Sequence, residues 1–141
     1  MIVIDTSALV ALVFREPERD AIAKIIEQAN KVLISTVSVL EARMVVHGRR
    51  GQRAVVLVDD LLRLPVFEMV APGVAESDAA YAAFVAFGKG SGHPAGLNFG
   101  DVFSYALAKA RGLPLLFKGE DFSQTDLVDM LRVSGDCGPA V

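Results

Sequence analysis

The sequence predicts an α/β fold in three layers: a short central parallel sheet flanked by helices. Three observations predict it. Short apolar runs at Ile2–Ile4, Val32–Ile34 and Pro114–Phe117, with a fourth over Val66–Val70 that Glu68 interrupts, read as strands of a buried parallel sheet. Longer segments with apolar residues at helical spacing separate them, so strands and helices alternate. The 141 residues, 52% hydrophobic and 22% charged, supply one well-buried core.

Each element follows in order. Ile2-Val-Ile4 stops at Asp5-Thr-Ser7, residues that cap a helix N-terminus, and the apolar stretch Ala8–Phe14 continues as that helix. Glu16-Pro17-Glu18 breaks the chain and opens a second helix to about Asn30, with Ile22, Ile25, Ile26 and Ala29 on one face. Val32–Ile34 is the next strand. Val37, Leu40, Met44 and Val45 mark the apolar arc of a third helix, and a fourth runs from Gly51 to about Leu64, closed by Pro65. A strand over Val66–Val70 precedes the turn Pro72-Gly73 and a helix over Glu76–Phe87. Gly88–Gly96, rich in glycine, is a flexible loop. Asn98-Phe-Gly-Asp101 opens a helix to about Ala110 with Gly112 as its cap, and Pro114–Phe117 is the last strand. A final helix is expected around Thr125–Leu131, so the domain spans 1–132 and residues 133–141 form a tail.

Composition narrows the function classes. No apolar run approaches the ~20 residues that cross a bilayer, and the N-terminus lacks the charged and cleavable regions of a signal peptide. A cytoplasmic protein without a membrane partner is expected. The single cysteine, Cys137, cannot form an internal disulfide, and no Cys/His cluster has zinc spacing. The net charge of −3 argues against binding nucleic acid chiefly by phosphate neutralisation. The densest basic stretch, His47-Gly-Arg49-Arg50-Gly-Gln-Arg53, reads equally as a nucleic-acid contact or as cations on a helix C-terminus.

In an open parallel sheet, sites form beyond the carboxyl ends of the strands, and four acids fall there. Asp5 ends the first strand, Glu41 follows the second, Asp101 lies in the first turn of a helix, and Asp121 follows the last strand. Each also has a structural reading. Asp5 caps a helix; Glu41 closes an S-x-x-E box with Ser38; Asp101 does the same with Asn98; Asp121 complements a helix dipole. Glu41 falls inside the apolar arc of its helix, where an uncompensated carboxylate costs several kcal/mol. Asp101 opens a helix that is apolar nearly all round, apart from a stripe of Asp101, Ser104 and Ala108. Carboxylates converging at one sheet edge repel and raise one another's pKa. A divalent ion relieves that repulsion, and an all-oxygen set suits Mg²⁺ or Mn²⁺.

These residues carry a resemblance. The chain resembles the PIN-domain ribonucleases, specifically the VapC-type toxins of type II toxin–antitoxin modules. The carriers are Ile2-Val-Ile-Asp5-Thr-Ser-Ala-Leu9, Ser35-Thr-Val-Ser-Val-Leu-Glu41-Ala42, Gly96-Leu-Asn-Phe-Gly-Asp101-Val-Phe-Ser-Tyr-Ala-Leu-Ala108 and Pro114-Leu-Leu-Phe-Lys-Gly-Glu-Asp-Phe122 with Thr125-Asp126. The resemblance implies a metal-dependent endoribonuclease that cuts single-stranded or loop RNA by metal-activated water, leaving 5′-phosphate and 3′-hydroxyl ends. It implies that Asp5, Glu41 and Asp101 hold Mg²⁺ or Mn²⁺. Many relatives carry an acid at the position of Gly119, so Asp121 is the candidate for the fourth acid, with Asp126 behind it. Thr6 and Ser7 match the place where the family sets a hydroxyl beside the first acid.

The resemblance also implies a homodimer silenced by a small cognate antitoxin, with Phe14 and Met44 as candidate contact residues if they are not core. Among Arg49, Arg50, Arg53, Lys89, His93, Arg111 and Lys118, the best placed to meet RNA is Lys118, against an ion pair with Glu120 or Asp121. His93 is a second such residue, against a plain loop role. Two other function classes compete: a PIN-like RNA- or protein-binding module with little turnover, and a phosphatase-like or response-regulator-like domain using Asp5. The second lacks a further Asp two residues after Asp5 and leaves Glu41 and Asp101 unexplained.

Overall fold

The apolar runs pair into one parallel sheet. The computed structural model describes residues 1–135. Strands β1 (Ile2–Ile4), β2 (Val32–Ser35), β3 (Phe67–Val70) and β4 (Leu115–Leu116) lie in the order β3-β2-β1-β4. Val3 stands opposite Leu33 on one side and Leu115 on the other, which brings the carboxyl ends of β1, β2 and β4 to one edge. From β1 the chain steps to β2 and β3, then returns to the far side of β1 as β4. The order therefore reverses between β1 and β4, the kind of switch point beside which open parallel sheets place their sites.

Side-chain alternation along the strands divides the core in two. Ile2, Ile4, Val32, Ile34 and Leu116 face α1 (Thr6–Val13), α2 (Arg19–Gln28), α3 (Thr36–Arg50) and α4 (Gln52–Leu62), and Met130 of α7 (Met130–Gly135) packs against this cluster. Val3, Leu33, Leu115 and Phe117 face the other way, against α5 (Val74–Phe87) and α6 (Phe99–Arg111). The result is the three-layer α/β architecture that the alternating pattern predicts.

Four local expectations need correction. The arc Val37, Leu40, Met44 and Val45 is not the core face of α3: Leu40 is 57% and Met44 65% exposed, and the buried residues are Ser38, Val39, Ala42 and Val46. Small Ser38 and Ala42 bring α3 close to its neighbours, while the larger apolar side chains line an outer groove. The expected helix over Thr125–Leu131 is displaced to Met130–Gly135, where the Asp129 carboxylate accepts from the Leu131 and Arg132 backbone N–H groups. The preceding segment runs beside β4 instead, with Leu115 N–H donating to the Val128 carbonyl at 3.0 Å, and so covers an otherwise bare sheet edge. Residues 133–135 of the expected tail are thus helical, and Cys137 lies outside the described residues. β4 is also shorter than the expected Pro114–Phe117.

The Gly88–Gly96 loop is pinned at its base rather than open. Lys89 N–H donates to the Leu97 carbonyl at 2.8 Å, and Leu97 N–H to the Phe87 carbonyl at 2.9 Å.

Candidate active site

Asp5 follows β1 directly, at this switch point, and is 2% exposed. Its Oδ2 accepts from the Ser7 backbone N–H at 2.9 Å and the Ser7 hydroxyl at 2.8 Å, the N-cap arrangement that the Asp-Thr-Ser sequence predicts. The other oxygen, Oδ1, accepts from the Ser104 hydroxyl at 2.6 Å. Ser7 Oγ in turn accepts from the Lys118 backbone N–H at 3.0 Å, which ties the exit of β4 to the exit of β1.

Asp101 is 6% exposed at the start of α6. It forms a reciprocal capping box with Asn98: Asn98 N–H donates to Asp101 Oδ2 at 3.0 Å, and Asp101 N–H to Asn98 Oδ1 at 2.9 Å. The carboxyl is nevertheless pushed up to about 7, first by burial and then by the charges of Asp5, Asp121 and Glu41, against the opposing hydrogen bond from Asn98. Those three charges reach it from three other segments of the chain.

Glu41 is half-buried on α3, and the cap of that helix is Ser35 rather than Ser38, so the S-x-x-E box does not form. Burial raises its pKa; the Thr6 hydroxyl offsets part of the rise and the Asp5 charge adds to it. Its carboxylate occupies the space a Cβ would need at Gly100, one residue before Asp101. Asp121 is exposed, in turns rather than at a helix start. Gly119 has φ +100°, a backbone conformation that side chains with a Cβ strain to adopt, which fits glycine at that place in the turn.

Other sequence candidates are engaged elsewhere. Asp126 accepts from the Tyr105 hydroxyl at 2.6 Å and pairs with Lys109 at 2.5 Å, fastening the last turns to α6. Lys118 is in an ion pair, but with Glu16 and with Glu18 at 3.2 Å, not with Glu120 or Asp121. His93 Nδ1 accepts from Ala95 N–H at 3.1 Å and its ring meets Phe87 edge-on at 4.9 Å, so it organises its loop. Arg49 and Arg50 lie over the half-buried Phe14 ring at 5.2 and 5.3 Å, in the last turn of α3.

The sequence gives little sign of two buried hydroxyls beneath the acids. Ser38 and Ser104 are fully buried, with their oxygens 3.0 Å apart. Their pattern was visible only as a cap and as part of a small-residue stripe.

The donors offered to a cation are all oxygens, which suits a hard divalent ion. The raised Asp101 and the glycine cradle under Glu41 are what a set of acids awaiting positive charge would show. Among the described residues, no three His, Cys, Asp or Glu side chains stand close enough together to hold a metal ion as they are placed.

Comparison with known proteins adds the family. The PIN domain model matches residues 2–128. The chain is 46% identical over 125 residues to a VapC ribonuclease of Mycobacterium bovis, covering 89% of this chain and 95% of that protein. It is 44% identical over 125 residues to a ribonuclease VapC of Mycolicibacterium smegmatis, covering 89% and 96%. In fold it is similar to VapC20 of Mycobacterium tuberculosis, described as a Sarcin-Ricin loop cleaving toxin, with TM-score 0.78, 20% identity and coverage of 92% and 98%. It is similar also to the Rickettsia felis VapBC2 structure bound to a promoter DNA fragment, with TM-score 0.72, 16% identity and coverage of 91% and 96%.

Proposed function

The chain belongs to the PIN-domain family as a VapC-type endoribonuclease toxin, and from that premise we propose that Asp5, Glu41, Asp101 and Asp121 form its catalytic, metal-holding cluster. The observation that carries this reading is the buried Asp101 carboxyl, raised to about 7 first by its burial and then by the charges of Asp5, Asp121 and Glu41. Asp5, Glu41 and Asp101 would hold Mg²⁺ or Mn²⁺, with Asp121 as the fourth acid of the set. When bound, such an ion activates water and stabilises the leaving oxygen in phosphodiester hydrolysis.

The protein's own groups prepare for that chemistry. Ser7 and Ser104 hold Asp5 from both sides, so its carboxylate presents one orientation. The Asn98 box fixes Asp101 at the first turn of α6, where helix N–H groups favour negative charge. Near neutral pH the Asp101 carboxyl releases its proton readily when positive charge arrives beside it.

RNA is the proposed substrate, single-stranded or looped, and a small antitoxin the proposed partner, in line with the toxin–antitoxin complexes among the similar folds. A homodimer is proposed as the working form; exposed Leu40, Met44, Tyr81, Phe84 and Phe99 supply apolar surface for such contacts. The test is incubation of the purified chain with a cellular RNA pool in Mg²⁺, Mn²⁺ or EDTA. Fragments carrying 5′-phosphates in either metal and none in EDTA are expected; cleavage that persists in EDTA contradicts the metal reading.

A further inference from the structure

Three acids in this site sit on three different elements, and something must hold them in register. Two buried serines occupy the matching positions. Ser38 lies three residues before Glu41 on α3, and Ser104 three residues after Asp101 on α6. On a helix that spacing puts each serine one turn from its acid on the same face. The two hydroxyls meet at 3.0 Å, and Ser104 reaches on to Asp5 Oδ1 at 2.6 Å.

The direction of these bonds follows from the donors available. An ionised carboxylate only accepts, so Ser104 gives its one hydroxyl hydrogen to Asp5. Ser104 Oγ must then accept from the Ser38 hydroxyl. The chain runs Ser38 to Ser104 to Asp5, and it links α3, α6 and β1 in one line. On Asp5, Ser7 engages Oδ2 twice and Ser104 engages Oδ1 once. Among the described residues no other hydrogen bond reaches Oδ1, and the Ser104 bond fixes the direction of its remaining lone pair.

We infer that Ser104, steadied by Ser38, is a positioning residue that aims the remaining lone pair of Asp5 Oδ1 at the bound divalent ion. This rests on the assignment of Asp5 as a metal-holding acid. Ser104 does not touch the ion or the RNA; it acts through Asp5, and Ser38 acts only through Ser104.

The experiment is calorimetric titration of Mn²⁺ into the purified full chain without RNA, for wild type, Ser104→Ala, Ser38→Ala and the double variant, each checked for a cooperative melt. Ser104→Ala should weaken Mn²⁺ binding by about tenfold or more, the usual effect of losing a partner that orients a ligand. Ser38→Ala should weaken it by about threefold, as expected for loss of one supporting hydrogen bond, and should have no further effect in the Ser104→Ala background. A merely structural role would lower the melting temperatures and leave Mn²⁺ affinity unchanged. Unchanged affinity in Ser104→Ala, or equal effects of Ser38→Ala in both backgrounds, overturns the inference. If Ser104→Ala does not fold, unchanged affinity in Ser38→Ala overturns it and the threefold loss supports it. Absence of Mn²⁺ binding by the wild type overturns the metal assignment of Asp5 itself, and the inference with it.

Discussion

The Glu41 carboxylate lies where residue 100 would carry its Cβ. Gly100 is in the first turn of α6 with ordinary helical backbone, so nothing in its own conformation requires glycine. The demand comes from Glu41, an acid on another helix that packs against the bare Cα.

Gly100→Ala should therefore separate site from fold. Alanine favours a helix over glycine by about 1 kcal/mol, which offsets part of the cost of moving Glu41. The variant is expected to melt within a few degrees of wild type while RNA cleavage falls about 100-fold, as for a misplaced catalytic group. Melting curves and initial rates check both halves. Unchanged cleavage would mean that Glu41 can move without consequence.

Asp101 makes the metal-free protein pH-sensitive. Its folded pKa is about 7 against an ordinary 3.8, so between those values the native state binds more protons than the unfolded chain. Stability contributed here is present at low pH and is lost as pH rises from about 4 to about 7. The loss is on the order of 4 kcal/mol. Raised Glu41 acts in the same direction. In EDTA, Asp101→Asn should match wild type near pH 4 and exceed it in urea-denaturation stability above pH 7. A variant less stable than wild type at pH 7.5 would show that the charged capping bond to Asn98 outweighs the cost of burying that charge beside the other acids.

Asp121 and Asp126 should behave oppositely. Asp126 is committed to Tyr105 and Lys109, whereas Asp121 adds to the field on Asp101. Asp126→Asn is expected to cost at most about 1 kcal/mol and to leave cleavage within about twofold. Asp121→Asn should lower cleavage about tenfold or more. Parallel rates and melts of the two variants decide the point; the reverse ranking would move the fourth acid to Asp126.

Much of this was legible in the sequence where one local pattern has one physical meaning. Short apolar runs gave the parallel strands, and Asp5 and Asn98–Asp101 form the caps their neighbours predict. Reading failed where two meanings share a pattern. α3 has two apolar arcs, and hydrophobicity alone favours Leu40 and Met44, although the small Ser38 and Ala42 side is the one that packs. The Thr125–Leu131 segment has helical residues, yet it is drawn out along β4 to cover that edge. Lys118 was recognisable as paired or free, but its partners Glu16 and Glu18 lie about a hundred residues away. The Ser38–Ser104–Asp5 chain spans three elements and carries no local signature.

The most direct test of the central claim is RNA cleavage by Asp101→Asn beside wild type, in Mn²⁺, on protein verified as folded. The cluster reading predicts metal-dependent fragments from wild type and a loss of at least about 100-fold in the variant. Cleavage by the folded variant at the wild-type rate would contradict it and place the chemistry elsewhere on the chain.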